Sequence, residues 1–197
     1  MNNYFERIVS RKALKSTRVA SLISDNDFYI YDIRNNEESE EQIYNVDLDS
    51  NTFIHFTFNK IFDINYFYFQ GIEEKTREMR RKIKVILKEY MYTREEILAL
   101  AVTPSYPKEV SGIALSTSSE FDQELFDALL IAFKNPDPDV RFYAISSVSY
   151  TQGWHQLEVP LRAVMADDDD PRIKAIAEET LNALLKHNWN SGGVSAT

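Results

Sequence analysis

The hydrophobic period changes at Gly71, and that change constrains the chain more than any motif in it. Ahead of it, apolar residues alternate. Tyr29, Tyr31 and Ile33 share one face of Phe28 to Arg34; Tyr44, Val46 and Leu48 share one of Gln42 to Leu48; Ile54, Phe56 and Phe58 share one of Thr52 to Phe58, and Ile64 to Phe69 is aromatic on both. A two-residue period belongs to strands. Phe and Tyr suit half-buried pleated surfaces, and 14 of the 25 aromatic residues fall in residues 1–70, so a meander or pair of hairpins is expected there. Asn35 to Glu41, NNEESEE, reads as a solvated loop, Asp49 to Asn51 as a tight turn, and residues 3–23 as one or two helices.

After Gly71, the residues Ile72, Thr76, Met79, Ile83, Ile86, Leu87 and Tyr90 step by three and four, as on one long helix whose other faces carry Glu, Lys and Arg. Helix-start signals then recur. Thr93 and Glu96 have the spacing of a capping box, Pro104 stops that helix, Pro107 starts another and Ser119 is placed to cap the next. Asp137-Pro138 and Asp170-Pro171 each put a capping carboxylate ahead of a proline at the first helical position.

Superposing the two Asp-Pro starts aligns Val140 with Ile173, Arg141 with Lys174 and Ala144 with Ala177, an offset of 33 residues. That offset lies in the range of helix-pair arrays. The pattern resembles HEAT repeats, and is most similar to the short HEAT-like type of the phycobilin lyases, over about residues 106–187, with a weaker third copy from Pro107 through Ser111 and Ala114. The resemblance implies a mainly α chain. A short right-handed HEAT-like α-α superhelix, or α-solenoid, would occupy residues 72–187, after a small aromatic-rich, β-containing N-terminal region at 1–70 and before a flexible tail at 188–197. Arg141 and Lys174 would then pair with Asp residues of neighbouring turns.

Composition removes several chemistries. Without cysteine there are no disulfides, thiolate metal sites or thiol nucleophiles, and a cytoplasmic location is expected. No stretch has the ~20 apolar residues that span a bilayer, and the N-terminal segment lacks the apolar core of a secretory signal. Net charge is -9, and residues 106–197 hold 7 basic against 14 acidic side chains, which argues against nucleic acid and anionic membrane as partners. The five glycines build no phosphate-binding loop. His55, His155 and His187 are too scattered for a metal site and read as solvated or cap-adjacent; Asp167 to Asp170 reads as a turn with a helix cap rather than a calcium loop. Glu37, Glu38, Glu40 and Glu41 read as solvated, as does the basic run of Arg77, Arg80, Arg81, Lys82 and Lys84; Arg7, Arg11, Lys12, Lys15 and Arg18 read as the wet face of a helix.

With no catalytic template filled, the expected function is a non-catalytic protein-protein interaction module, an adaptor or assembly factor, with no cofactor. The expected binding residues are Gln123, Glu124, Asp127, Trp154, Gln156, Glu158 and Arg162, an acidic surface suited to a basic protein partner. The alternative implied by the resemblance is a phycobilin-lyase-like subunit that handles an open-chain tetrapyrrole, a bilin, on a phycobiliprotein.

Overall fold

The structure is a computed structural model that describes residues 4–11, 14–25, 28–45, 51–151 and 154–191, with side chains through residue 186. It divides into two compact units, Met1–Ile97 with Ser118–Glu120, and Leu98–Thr117 with Phe121–Thr197.

The first unit contains β1 (Tyr4–Val9), α1 (Ser16–Ser24), β2 (Tyr29–Asn35), β3 (Ser39–Asn45), β4 (Phe53–Asn59), β5 (Ile64–Gly71) and α2 (Glu73–Ile86). The strands form one five-stranded sheet in the order β1-β5-β4-β3-β2, antiparallel throughout. Register fixes its faces. Phe56 lies opposite Phe67 and Ile54 opposite Phe69; Ile8 lies opposite Phe67 and Tyr44 opposite Ile54. These side chains share one face and form a single core with Val19 and Ile23 of α1 and with Met79 and Ile83 of α2. The opposite face carries Val9, Ile43, His55, Thr57 and Tyr66, all buried. Strands buried on both faces lose simple alternation.

Gly71 ends β5 at φ 141°, and a Cβ there would lie 2.5 Å from the Asn51 carbonyl oxygen and 2.7 Å from Thr52 Cα. The period switch is therefore also a close backbone crossing that only glycine fits.

In the sequence after α2 come a 3-10 turn (Lys88–Tyr90) and α3 (Arg94–Ala99). Thr93 and Glu96 close the expected capping box: Thr93 N–H donates to Glu96 Oε2 at 2.7 Å and Glu96 N–H to Thr93 Oγ1 at 3.3 Å. The second unit holds a 3-10 segment (Pro107–Ser111), α4 (Gly112–Leu115), α5 (Gln123–Ala132), α6 (Pro138–Ser146), 3-10 segments Ser147–Thr151 and His155–Leu157, α7 (Glu158–Asp167) and α8 (Pro171–Ser191). Asp137 Oδ1 accepts Asp139 N–H and Asp170 Oδ1 accepts Arg172 N–H, both at 2.8 Å, so each Asp-Pro start is a capped helix start. The apolar stripe Leu161, Ile173, Ala177, Leu181 and Leu184 is buried where α7 packs along α8.

Several expectations are corrected. The chain is not a mainly α, HEAT-like α-α superhelix: a five-stranded antiparallel sheet is a principal element, and the described residues form no solenoid. The Asp-Pro signal is local. It marks any capped helix start, and two copies at one offset satisfy it without further repeats. The third copy does not make a helix pair, because Pro107 opens a five-residue 3-10 segment followed by the four-residue α4. Residues 3–23 contain β1 before α1; Tyr4–Val9 is buried on both faces, which erased its strand period. The run NNEESEE is a tight hairpin. Asn36 Oδ1 accepts the backbone N–H groups of Glu38 and Ser39 at 2.9 and 2.8 Å, so β3 already begins at Ser39. Asp122, not Ser119, caps α5 through Leu125 N–H at 3.1 Å, whereas Ser119 bonds β1: its Oγ accepts Phe5 N–H at 2.7 Å. The turn expected at Asp49–Asn51 and the tail expected at 188–197 fall largely outside the described residues.

Candidate functional site

Within the second unit, the last turn of α5, the Lys134–Pro136 connection and α7 enclose a groove of about 550 Å³. Its apolar lining is Leu130, Phe133, Val159, Pro160, Ala163 and Val164. Val159 is 75% exposed, and Ile131, the neighbour of Leu130, is 52% exposed. Residues 159, 163 and 167 recur at helical spacing, so α7 presents a single apolar stripe that ends in an acid. Asp167, Asp168 and Asp169 form that end of the groove, with Lys134 and Arg141 also lining it.

The three aspartates are not equivalent. Asp168 receives Arg141 Nε at 2.7 Å and Arg141 Nη2 at 3.0 Å, and also accepts Asp170 N–H at 2.9 Å. Burial alone would raise its carboxyl, yet these hydrogen bonds outweigh burial and hold it below the ordinary carboxylate range. Asp167 and Asp169 are exposed and have no ion-pair partner among the described residues.

The residues expected from sequence lie on α5, on α7 and on the 3-10 segment before α7, but do not line this groove. On α5, Gln123 Nε2 donates to Asp127 Oδ1 at 2.8 Å, and Glu124 is exposed. On α7, Arg162 and Glu158 form a four-residue-spaced ion pair at 2.9 Å; Gln156, in the 3-10 segment before it, is half-buried. Trp154 is buried, its ring edge-on to Phe121 with centroids 5.0 Å apart. The groove was not expected from sequence, since an exposed Val on an amphipathic helix carries no signal of its own.

Two charged clusters of the first unit were also missed. His55 is buried on the sheet and its Nδ1 lies 3.0 Å from Glu41 Oε1; its Nε2 has no hydrogen-bond partner among the described residues. The His55 hydrogen bond is the main cause that holds the Glu41 carboxyl below its usual range. Glu41 is therefore no solvated loop residue, nor His55 a solvated histidine. Under α2, the buried Glu6 carboxylate lies 2.8 Å from Arg80 Nε, a charge contact off the line of a hydrogen bond, and 3.4 Å from Arg77 Nη1; it accepts Tyr4 OH at 2.6 Å. Burial, then that hydrogen bond, raises the Tyr4 phenol. Arg77 and Arg80 thus neutralise a buried acid rather than forming a purely solvated face. Arg7 is buried too, stacked on Phe5 and Tyr68, and Arg11 pairs with Glu96 at 2.8 Å, so these positions are not a helix face.

Among the described residues no group of His, Asp and Glu has the geometry of a metal site, and no helix is long and apolar enough to cross a membrane. The HEAT-like assignment finds no support outside the chain either: no family model matches it, and no curated protein or solved structure is significantly similar to it.

Proposed function

We propose that the chain is a non-catalytic protein-interaction module, an adaptor or assembly factor, whose α5–α7 groove docks a partner segment carrying an apolar anchor next to Arg or Lys. The observation that carries this reading is the apolar groove ending in Asp167 and Asp169, two exposed carboxylates with no ion-pair partner among the described residues. An apolar anchor displaces water from Val159 and Ala163, and a neighbouring cation meets the two carboxylates; the first supplies affinity, the second orientation and long-range attraction. The surplus of acids in residues 106–197 acts in the same direction. Lys134 lines the groove as well and suits a backbone carbonyl of the docked segment. A reducing compartment, the cytoplasm by default, fits a chain without cysteine. The tetrapyrrole alternative rested on the repeat resemblance and is not carried forward.

Selection of a random peptide display library on the full chain tests this. Enriched peptides should share an aliphatic or aromatic residue within a few positions of Arg or Lys, and should not be retained by Val159→Asp. Enrichment of acidic peptides, or equal retention by both proteins, would count against it.

A further inference from the structure

Beyond that groove, we infer that β2 is a self-pairing edge through which two copies of this chain join their sheets antiparallel about a two-fold axis at Ile33. Among the described residues β2 is the last strand of the sheet, bonded to β3 on one side only. Its apolar residues are unusually bare: Tyr29 is 70% exposed, Tyr31 65%, Ile33 63% and Ile30 46%. An open edge with exposed apolar side chains is a template for another strand.

The strand's own sequence identifies that other strand. In an antiparallel pair the residue numbers opposite one another have a constant sum. An axis through Ile33 sets Ile33 against its copy, each Asp32 against the partner's Arg34, and each Tyr31 against the partner's Asn35. Shifting the axis by one residue, to Asp32, would set carboxylate against carboxylate. The hydrogen-bond pattern selects the same register. Asn36 N–H donates to the Ser39 carbonyl at 2.9 Å, which makes 36/39 a hydrogen-bonded pair; alternation along the register then leaves Ile33, opposite Gln42, with its backbone groups facing away from β3, and its N–H donates to Asp32 Oδ1 at 2.8 Å. A residue whose backbone groups face outward is the one that exchanges both bonds with its opposite number. Asp32 and Arg34 then fall at the flanking, more closely spaced pairs, where cross-strand charges interact best. In the single chain they satisfy each other, Arg34 Nε to Asp32 Oδ2 at 2.8 Å, and pairing exchanges that contact for two across the axis. The irregularity between Ile30 and Asp32 falls at Tyr31, so the regular part of the ladder is Asp32–Arg34 of each copy.

Sedimentation equilibrium of the full chain over a wide concentration series tests this. Wild type should show a monomer–dimer equilibrium. Asp32→Arg and Arg34→Asp each place like charges opposite one another twice, and each should weaken dimerisation about ten-fold or more. An equimolar mixture of the two variants should associate again, because every cross-strand pair is then opposite in sign. The double exchange Asp32→Arg/Arg34→Asp in one chain should dimerise like wild type, which keeps the test open should a single variant fail to fold. A wild type that stays monomeric, or a dimer that ignores both single exchanges, or a double exchange that stays monomeric, would overturn the inference.

Discussion

Arg141 and Asp168 face each other fork to carboxylate, Nε to Oδ2 at 2.7 Å and Nη2 to Oδ1 at 3.0 Å, both side chains largely buried. Arg141 Nη1 also donates to the Asn135 carbonyl at 2.9 Å. One guanidinium thus ties the chain entering α6 to the chain entering α8. A bidentate, partly buried pair is lost at a cost because the remaining charge stays desolvated. Asp168→Ala should destabilise the protein by about 2 kcal/mol in urea unfolding. Arg141→Lys should cost about half of that, since a point charge keeps attraction but loses the fork.

Glu6 makes the same argument under α2. Arg80→Ala leaves its buried carboxylate to Arg77 at 3.4 Å and Tyr4, and should cost about 2 kcal/mol. Removing both charges with Glu6→Gln and Arg80→Gln should cost less than the sum of the single changes, and a double-mutant cycle in denaturant measures the difference.

The Glu41–His55 contact sets a pH dependence. The folded-state pKa of Glu41 is depressed, mainly by the His55 hydrogen bond. Its stabilisation is therefore present above the unfolded Glu value of about 4.3 and is lost as pH falls through the lower folded value. Thermal unfolding of wild type should exceed that of Glu41→Gln near neutrality and converge with it in acid. A gap that persists unchanged in strong acid would contradict the assignment.

Gly71→Ala puts a methyl group 2.5 Å from the Asn51 carbonyl at a φ of 141°. Both backbone and space refuse it, so a loss of about 2 kcal/mol or more is expected in unfolding experiments.

How much of this was legible in the sequence follows from the range of each interaction. Helix caps act over three residues, and Asp137, Asp170 and the Thr93–Glu96 box could be read directly. β4 and β5 were legible because aromatic runs leave few other homes. β1 was not, since a strand buried on both faces has no period to read. Arg80 looked solvated because its partner, Glu6, is 74 residues away in the chain. A groove is harder still: Val159 and Phe133 line it from segments far apart in the chain, and neither residue differs in kind from core. The 33-residue echo misled for the converse reason, as two sound local signals were read as a global architecture.

The proposed function stands or falls on the α5–α7 groove recognising an apolar anchor beside a positive charge. Its most direct test is the affinity of display-selected peptides for wild type, Val159→Asp and Asp167→Lys/Asp169→Lys across a salt series. Binding to wild type should weaken as salt rises, the double Lys exchange should lower affinity and flatten the salt dependence, and Val159→Asp should abolish binding without loss of fold. Peptides that bind all three proteins alike at every salt concentration would contradict it.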